Sequence, residues 1–151
     1  MRRGLAADGP ASTRSTGDFE RITIPNSDCD ALRDLLVAEK VNTVIEIGLA
    51  YGNSALAIVE GLVIVGSDHA RHVIIDAYQD RFYRSGWSVI SEAGLAGLCL
   101  LIEERSQTVL PSRRCGQELA ALTRRLDRLG NQLPNEVAAA LAVDPAGGVR
   151  R

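Results

Sequence analysis

The sequence predicts an α/β fold in which a parallel sheet is flanked by helices. Three observations carry that prediction. Short apolar segments alternate with helical ones, an order that favours parallel strands joined by crossovers. The strand-like segments are near-continuous runs of branched residues, as in strands buried on both faces. The first of them runs into a turn with Gly48 and Gly52 four residues apart and a helix start just beyond, the place where α/β sheets bind ligands.

In chain order, residues 1–19 are rich in Gly, Ser, Thr, Ala and Arg without periodicity and read as a flexible leader. Asn26, Ser27 or Asp28 can cap a helix whose Leu32, Leu35 and Leu36 recur at helical spacing. Residues 41–47 form the first strand and Gly48 ends it. Asn53 or Ser54 caps a second helix over 55–63, and residues 66–70 form a loop. Residues 72–75 are the second strand, stopped by Asp76. Phe82, Tyr83 and Trp87 lead, as packing residues, into a helix over 89–93, and 98–102 is the third strand. The boundaries expected are therefore a leader at 1–19, an α/β half-domain at 20–111, a helical segment at 112–143 and a tail at 144–151. Within 112–143, Leu119, Leu122, Leu126, Leu129 and Leu133 make an amphipathic stripe with Arg124, Arg125 and Arg128 between them.

Composition narrows the function classes. The net charge of -2 gives no general attraction to nucleic acid or anionic lipid, and the arginines from Arg113 to Arg128 read as the solvated face of a helix. No run approaches the about 20 apolar residues of a membrane span, and the leader lacks an apolar secretion signal, so a cytoplasmic location is expected. Cys29, Cys99 and Cys115 are odd in number and widely spaced, which suits reduced thiols better than disulfides or a zinc site. His69 and His72, with no cysteine nearby, read as structural or surface residues, and no metal site is expected.

The chemistry concentrates between Val44 and Ser54. Gly48 and Gly52 let the backbone turn tightly and approach a ligand without a Cβ in the way. The dinucleotide fingerprint would need glycine at Ala50, and Glu46 would repel a phosphate. A Walker loop is excluded, because Gly-Lys-Ser/Thr occurs nowhere. S-adenosylmethionine carries no phosphate but a sulfonium and an ammonium, which Glu46 suits. Asp76 ends the second strand, where a carboxylate can accept ribose hydroxyls.

With those residues in view, the segment Glu46-x-Gly48-x-x-x-Gly52-x-Ser54 resembles the first motif of class I S-adenosylmethionine-dependent methyltransferases, and His72-Val73-Ile74-Ile75-Asp76 resembles their second strand. The wording is closest to small O-methyltransferases of the catechol and caffeoyl type. The likeness covers about residues 22–111 and implies a Rossmann-like sheet with S-adenosylmethionine as cofactor. It implies Glu46, Gly48, Tyr51, Gly52 and Ser54 around the cofactor, Asp76 at the ribose, and Ser106 and Gln107 at the adenine. The implied substrate is a small-molecule acceptor. The family continues with a fourth strand ending in Asp, and nothing after Pro111 reads so. The expectation is therefore an incomplete methyltransferase fold followed by helices, through truncation or a frame change, with methyl transfer by the lone chain in question. The alternative expectation is a non-catalytic interaction module or pseudoenzyme, with an open sheet edge and the leucine stripe inviting a homo-oligomer.

Overall fold

A computed structural model describes Arg2, Gly4, Leu5 and residues 16–110. Its elements are helices α1 (Thr16–Ile22) and α2 (Asn26–Ala38), strand β1 (Thr43–Ile47), helix α3 (Asn53–Val65), strand β2 (Arg71–Ile75), a 3-10 turn (Gln79–Phe82), helix α4 (Ser85–Glu92), strand β3 (Cys99–Ile102) and the single-turn helix α5 (Ser106–Val109). The three strands are parallel in the order β1-β2-β3, as the alternation predicts. The segments expected at 112–143 and 144–151 lie outside the described residues.

Register fixes what each face carries. Val44 pairs with His72 and His72 with Cys99, while Glu46 pairs with Ile74 and Ile74 with Leu101, so these six side chains share one face. Leu56, Val59 and Leu62 of α3 and Leu36 of α2 join Ile74 and Cys99 in the main core on that side. The opposite face carries Val73, Ile75 and Ile102, which cluster with Val109 of α5. Every residue of β2 is buried. Among the described residues β1 lies at one edge of the sheet, and its Ile45 and Ile47 are 45% and 60% exposed.

Several expectations need correction at the ends of elements. β1 starts two residues later than the apolar run, because Val41 donates its N–H to Leu36 O and so closes the end of α2. α2 has no side-chain cap; Pro25 precedes it, and Asp28 N and Cys29 N donate to Pro25 O instead. α3 is longer than expected at both ends and starts directly after Gly52. Neither Asn53 nor Ser54 caps it: the Asn53 amide donates to Ile24 O and the Ser54 hydroxyl to Glu46. α4 begins at Ser85 rather than Val89, because Gly86 is small enough to let its first turn press on the glycine turn after β1.

The described part of the leader is packed. Phe19 in α1 is buried in the core together with Leu5. Arg2 is 6% exposed, pairs with Asp30 of α2, and donates Nε to Glu60 of α3 at 3.1 Å. Arg33 completes the cluster, reaching Asp30 at 3.0 Å and Glu60 at 3.4 Å. Removing a partner from a buried ion pair typically costs about 3–5 kcal/mol, and Arg33 still neutralises both acids here. Arg2→Ala is thus expected to lower stability by a smaller amount, about 1–3 kcal/mol. Urea unfolding followed by circular dichroism checks this, and an unchanged midpoint would make the cluster incidental.

Candidate functional site

The carboxyl ends of all three strands open into one cavity of about 500 Å³, inside the range of about 300–1,000 Å³ usual for small-molecule sites. Ile47 and Gly48 line it after β1, Ile75, Asp76, Ala77 and Tyr78 after β2, and residues 104–108 after β3. Of the residues singled out in the sequence, the structure brings Gly48, Asp76, Ser106 and Gln107 to this cavity. Glu46, Tyr51, Gly52 and Ser54 do not line it.

Gly48 takes φ +88°, a conformation costly for any residue with a Cβ. A Cβ built there meets no atom within 4 Å, so the backbone faces open space. Gly52 is different. It also has a positive φ, of +87°, but its Cβ would meet the backbone of Gly86 at 3.1 Å from the oxygen and 3.2 Å from Cα. Gly52 serves close packing of the turn on α4. Ala50 between them also sits at positive φ, 45°.

Asp76 gathers this turn. Its Oδ2 accepts from Leu49 N at 2.8 Å, from Ala50 N at 3.1 Å and from Gln79 Nε2 at 2.8 Å, and its Oδ1 accepts from Tyr78 N at 2.7 Å. Burial alone would raise the pKa of this carboxyl, but the donors from Gln79, Tyr78, Leu49 and Ala50 outweigh burial and hold it below the ordinary value. The side chain is therefore ionised at neutral pH and largely occupied by the chain's own donors. Oδ1 accepts from a single donor, Tyr78 N.

Glu46 lies elsewhere than the sequence reading implied. Strand alternation turns it to the face that α3 covers, where it is 9% exposed. Its Oε1 accepts from Ser54 Oγ at 2.5 Å, and its Oε2 is 3.0 Å from Nε2 of the fully buried His72. A carboxylate so placed ties α3 to the sheet and is not among the residues that line the cavity. The Tyr51 ring packs at 5.4 Å from Phe19 and edge-on at 5.2 Å from Phe82. The reading of His72 as having no cysteine nearby is corrected by Cys99, whose sulfur is 3.8 Å from His72 Nδ1. His69 is exposed in the loop, as expected. Among the described residues no group of three potential metal ligands assembles.

Two residues central to the site went unremarked in the sequence. Gln79 is 1% exposed and ties Asp76 Oδ2 to Ala50 O at 3.1 Å, and Gly86 admits the turn against α4. The three-residue interval from Asp76 to Gln79 was the available signal for the first. A glycine at the start of a helix was the signal for the second.

Solved structures carry the same architecture. The chain is similar to the O-methyltransferase TomG of Streptomyces achromogenes, involved in tomaymycin synthesis and crystallised with SAM, at 24% identity over 63% of this chain and 40% of that one, with a TM-score of 0.52. It is also similar to the cofactor-bound Rv0187 from MTB at 23% identity, over 72% of this chain and 45% of that one, with a TM-score of 0.52. The chain shares a methyltransferase fold. It spans less than half the length of either relative. No protein-family model matches the sequence, and no curated protein matches it. Among the described residues no helix is long and apolar enough to cross a membrane.

Proposed function

We propose that the cavity at the strand ends binds S-adenosylmethionine and that the chain is a methyltransferase acting on a small-molecule acceptor, O-methylation being favoured. The observation that carries the reading is Gly48: a left-handed glycine whose missing Cβ leaves open space beside a cavity built from all three strand ends. The SAM complex of TomG, which shares the fold, supports the choice of ligand. In this reading Gly48 lets the backbone approach the cofactor, Asp76 Oδ1 accepts a ribose hydroxyl, and Ser106 and Gln107 border the adenine. Glu46, Tyr51, Gly52 and Ser54 act one step back, holding the turn in place. The free thiols of Cys29 and Cys99 suit a cytoplasmic setting.

When bound, the cofactor supplies an electrophilic methyl on a sulfonium. Gly48 and Asp76 would hold it so that an acceptor's nucleophile could displace that methyl from sulfur, leaving S-adenosylhomocysteine, with the acceptor's proton passing to a base or to solvent. The contribution assigned to this chain is orientation, which can supply about 7–11 kcal/mol of a barrier.

Gly48→Ala tests the reading. The new Cβ touches no protein atom, so the fold should survive with a conformational cost of about 1–2 kcal/mol. Calorimetric titration with S-adenosylhomocysteine should show binding by the parent chain and none by the variant. A folded Gly48→Ala protein that binds as tightly as the parent would move the ligand elsewhere.

A second reading is favoured by the edge of β1, where Ile45 and Ile47 stand exposed. It makes the chain an interaction module or pseudoenzyme that associates, as a homo-oligomer or with a partner, through that edge. Size-exclusion chromatography beside the titration separates the readings, since an oligomer blind to S-adenosylhomocysteine favours the second.

A further inference from the structure

Behind the glycine turn, on the face of the sheet away from the cavity, runs a buried polar chain: Ser54 Oγ to Glu46 Oε1, Glu46 Oε2 to His72 Nε2, and His72 Nδ1 to Cys99 Sγ. It crosses all three strands, and its members come from β1, β2, β3 and the first turn of α3. His72 has no solvent exposure and Glu46 little, yet His72 Nε2 and Glu46 Oε2 approach to 3.0 Å without the alignment of a full hydrogen bond. A histidine and a carboxylate left incompletely bonded in a core are costly to retain for packing alone. Their connection to the site is short. Ser54 follows Gly52 by two residues, and the glycine turn that leads into α3 begins at Gly48, which lines the cavity.

We propose that His72 is a positioning residue for the cofactor site: without touching the cavity, it sets the disposition of the Glu46 carboxylate, which holds Ser54 and through it the start of α3 and the glycine turn. The titratable groups packed against it are Glu46 from β1 and Cys99 from β3; α3 contributes Ser54, and its Glu60 is engaged by Arg2 and Arg33. Burial, reinforced by the charge of Glu46, pushes the Cys99 thiol up to about 12, so it remains S–H and can donate to Nδ1. With Nδ1 accepting from that thiol, His72 presents an N–H at Nε2 to Glu46, which keeps the carboxylate in place and with it the hold on Ser54. This inference rests on the cofactor reading, so its test has one arm that needs no cofactor.

In the free protein at about pH 7, the backbone amides of Gly48, Leu49, Ala50 and Gly52 are followed by nitrogen-15 NMR in the parent, in His72→Leu and in His72→Gln. His72→Leu should displace them, and His72→Gln, which keeps an N–H for Glu46, should return them toward their parent positions. Turn amides unmoved in His72→Leu would overturn the proposal. In the second arm, His72→Leu should lose about tenfold in affinity for S-adenosylhomocysteine, the scale of one hydrogen bond, and His72→Gln should restore it. Equal affinity in His72→Leu and the parent would also overturn the proposal. Absence of binding by the parent would defeat the cofactor reading alone and leave the amide positions to decide the role of His72.

Discussion

Asp76→Ala should be among the most damaging single substitutions in the described chain. It leaves four donors, Leu49 N, Ala50 N, Tyr78 N and Gln79 Nε2, without their shared acceptor, those of Leu49 and Gln79 in buried surroundings. Each buried donor stranded in this way costs about 1–3 kcal/mol, and donors that lose one common partner relax together, so a total of about 3–5 kcal/mol is expected. That is a large part of the about 5–15 kcal/mol that stabilises an ordinary domain. Asp76→Asn keeps one acceptor oxygen and should fall between the parent and the alanine variant. Urea unfolding at pH 7 checks the order, and a loss below about 1 kcal/mol in the alanine variant would show that water replaces the carboxylate. The same carboxylate sets an acid limb. Its folded pKa is depressed, so its contribution is complete above the unfolded value near about 4 and is lost as pH falls through the folded one. The parent should therefore destabilise more steeply than Asp76→Asn below about pH 4.

Much of the architecture was legible because it depends on local pattern. Parallel strands buried on both faces are apolar throughout, so 41–47, 72–75 and 98–102 stood out, and their actual limits differ by one or two residues. The positions of Gly48 and Asp76 were legible for a related reason: each follows a strand, and in a parallel sheet strand ends meet, whereas Ser106 and Gln107 were implied by the resemblance alone. What the sequence did not disclose depends on contacts between distant residues. Arg2 reads as solvated until its partners appear 28 and 58 residues away, at Asp30 and Glu60. Glu46 was identified as an important acid, but the face it occupies follows from which side of the sheet α3 covers, and no local pattern says that. The same holds for His72, whose neighbour Cys99 is 27 positions distant. Gly52 was rightly a turn glycine, while the object pressing on it, Gly86, belongs to a helix whose start was expected at Val89.

That contact sets the other large effect. Gly86→Ala should be severe although it adds one carbon. Its Cβ would lie 2.5 Å from Ala50 O and 2.8 Å from Leu49 Cγ, with Gly52 N at 3.2 Å. Ala50 O is a backbone atom of a turn whose amides are already bound by Asp76 and whose oxygen is bound by Gln79, so it cannot yield cheaply. Either α4 must lift from the sheet or the turn must move toward the cavity, and overpacking of this kind costs about 3 kcal/mol or more. Gly97→Ala is the control, since its Cβ meets no atom within 4 Å and should change stability by no more than about 0.5 kcal/mol. Unfolding midpoints for the two variants, measured beside affinity for S-adenosylhomocysteine, read both consequences. If α4 lifts, stability falls and affinity falls less. If the turn moves instead, Gly48 moves with it and affinity is lost even in the fraction that remains folded. A Gly86→Ala protein as stable as Gly97→Ala would show that α4 does not rest on the turn, and the account of how Gly52 and Gly86 shape the site would fall with it.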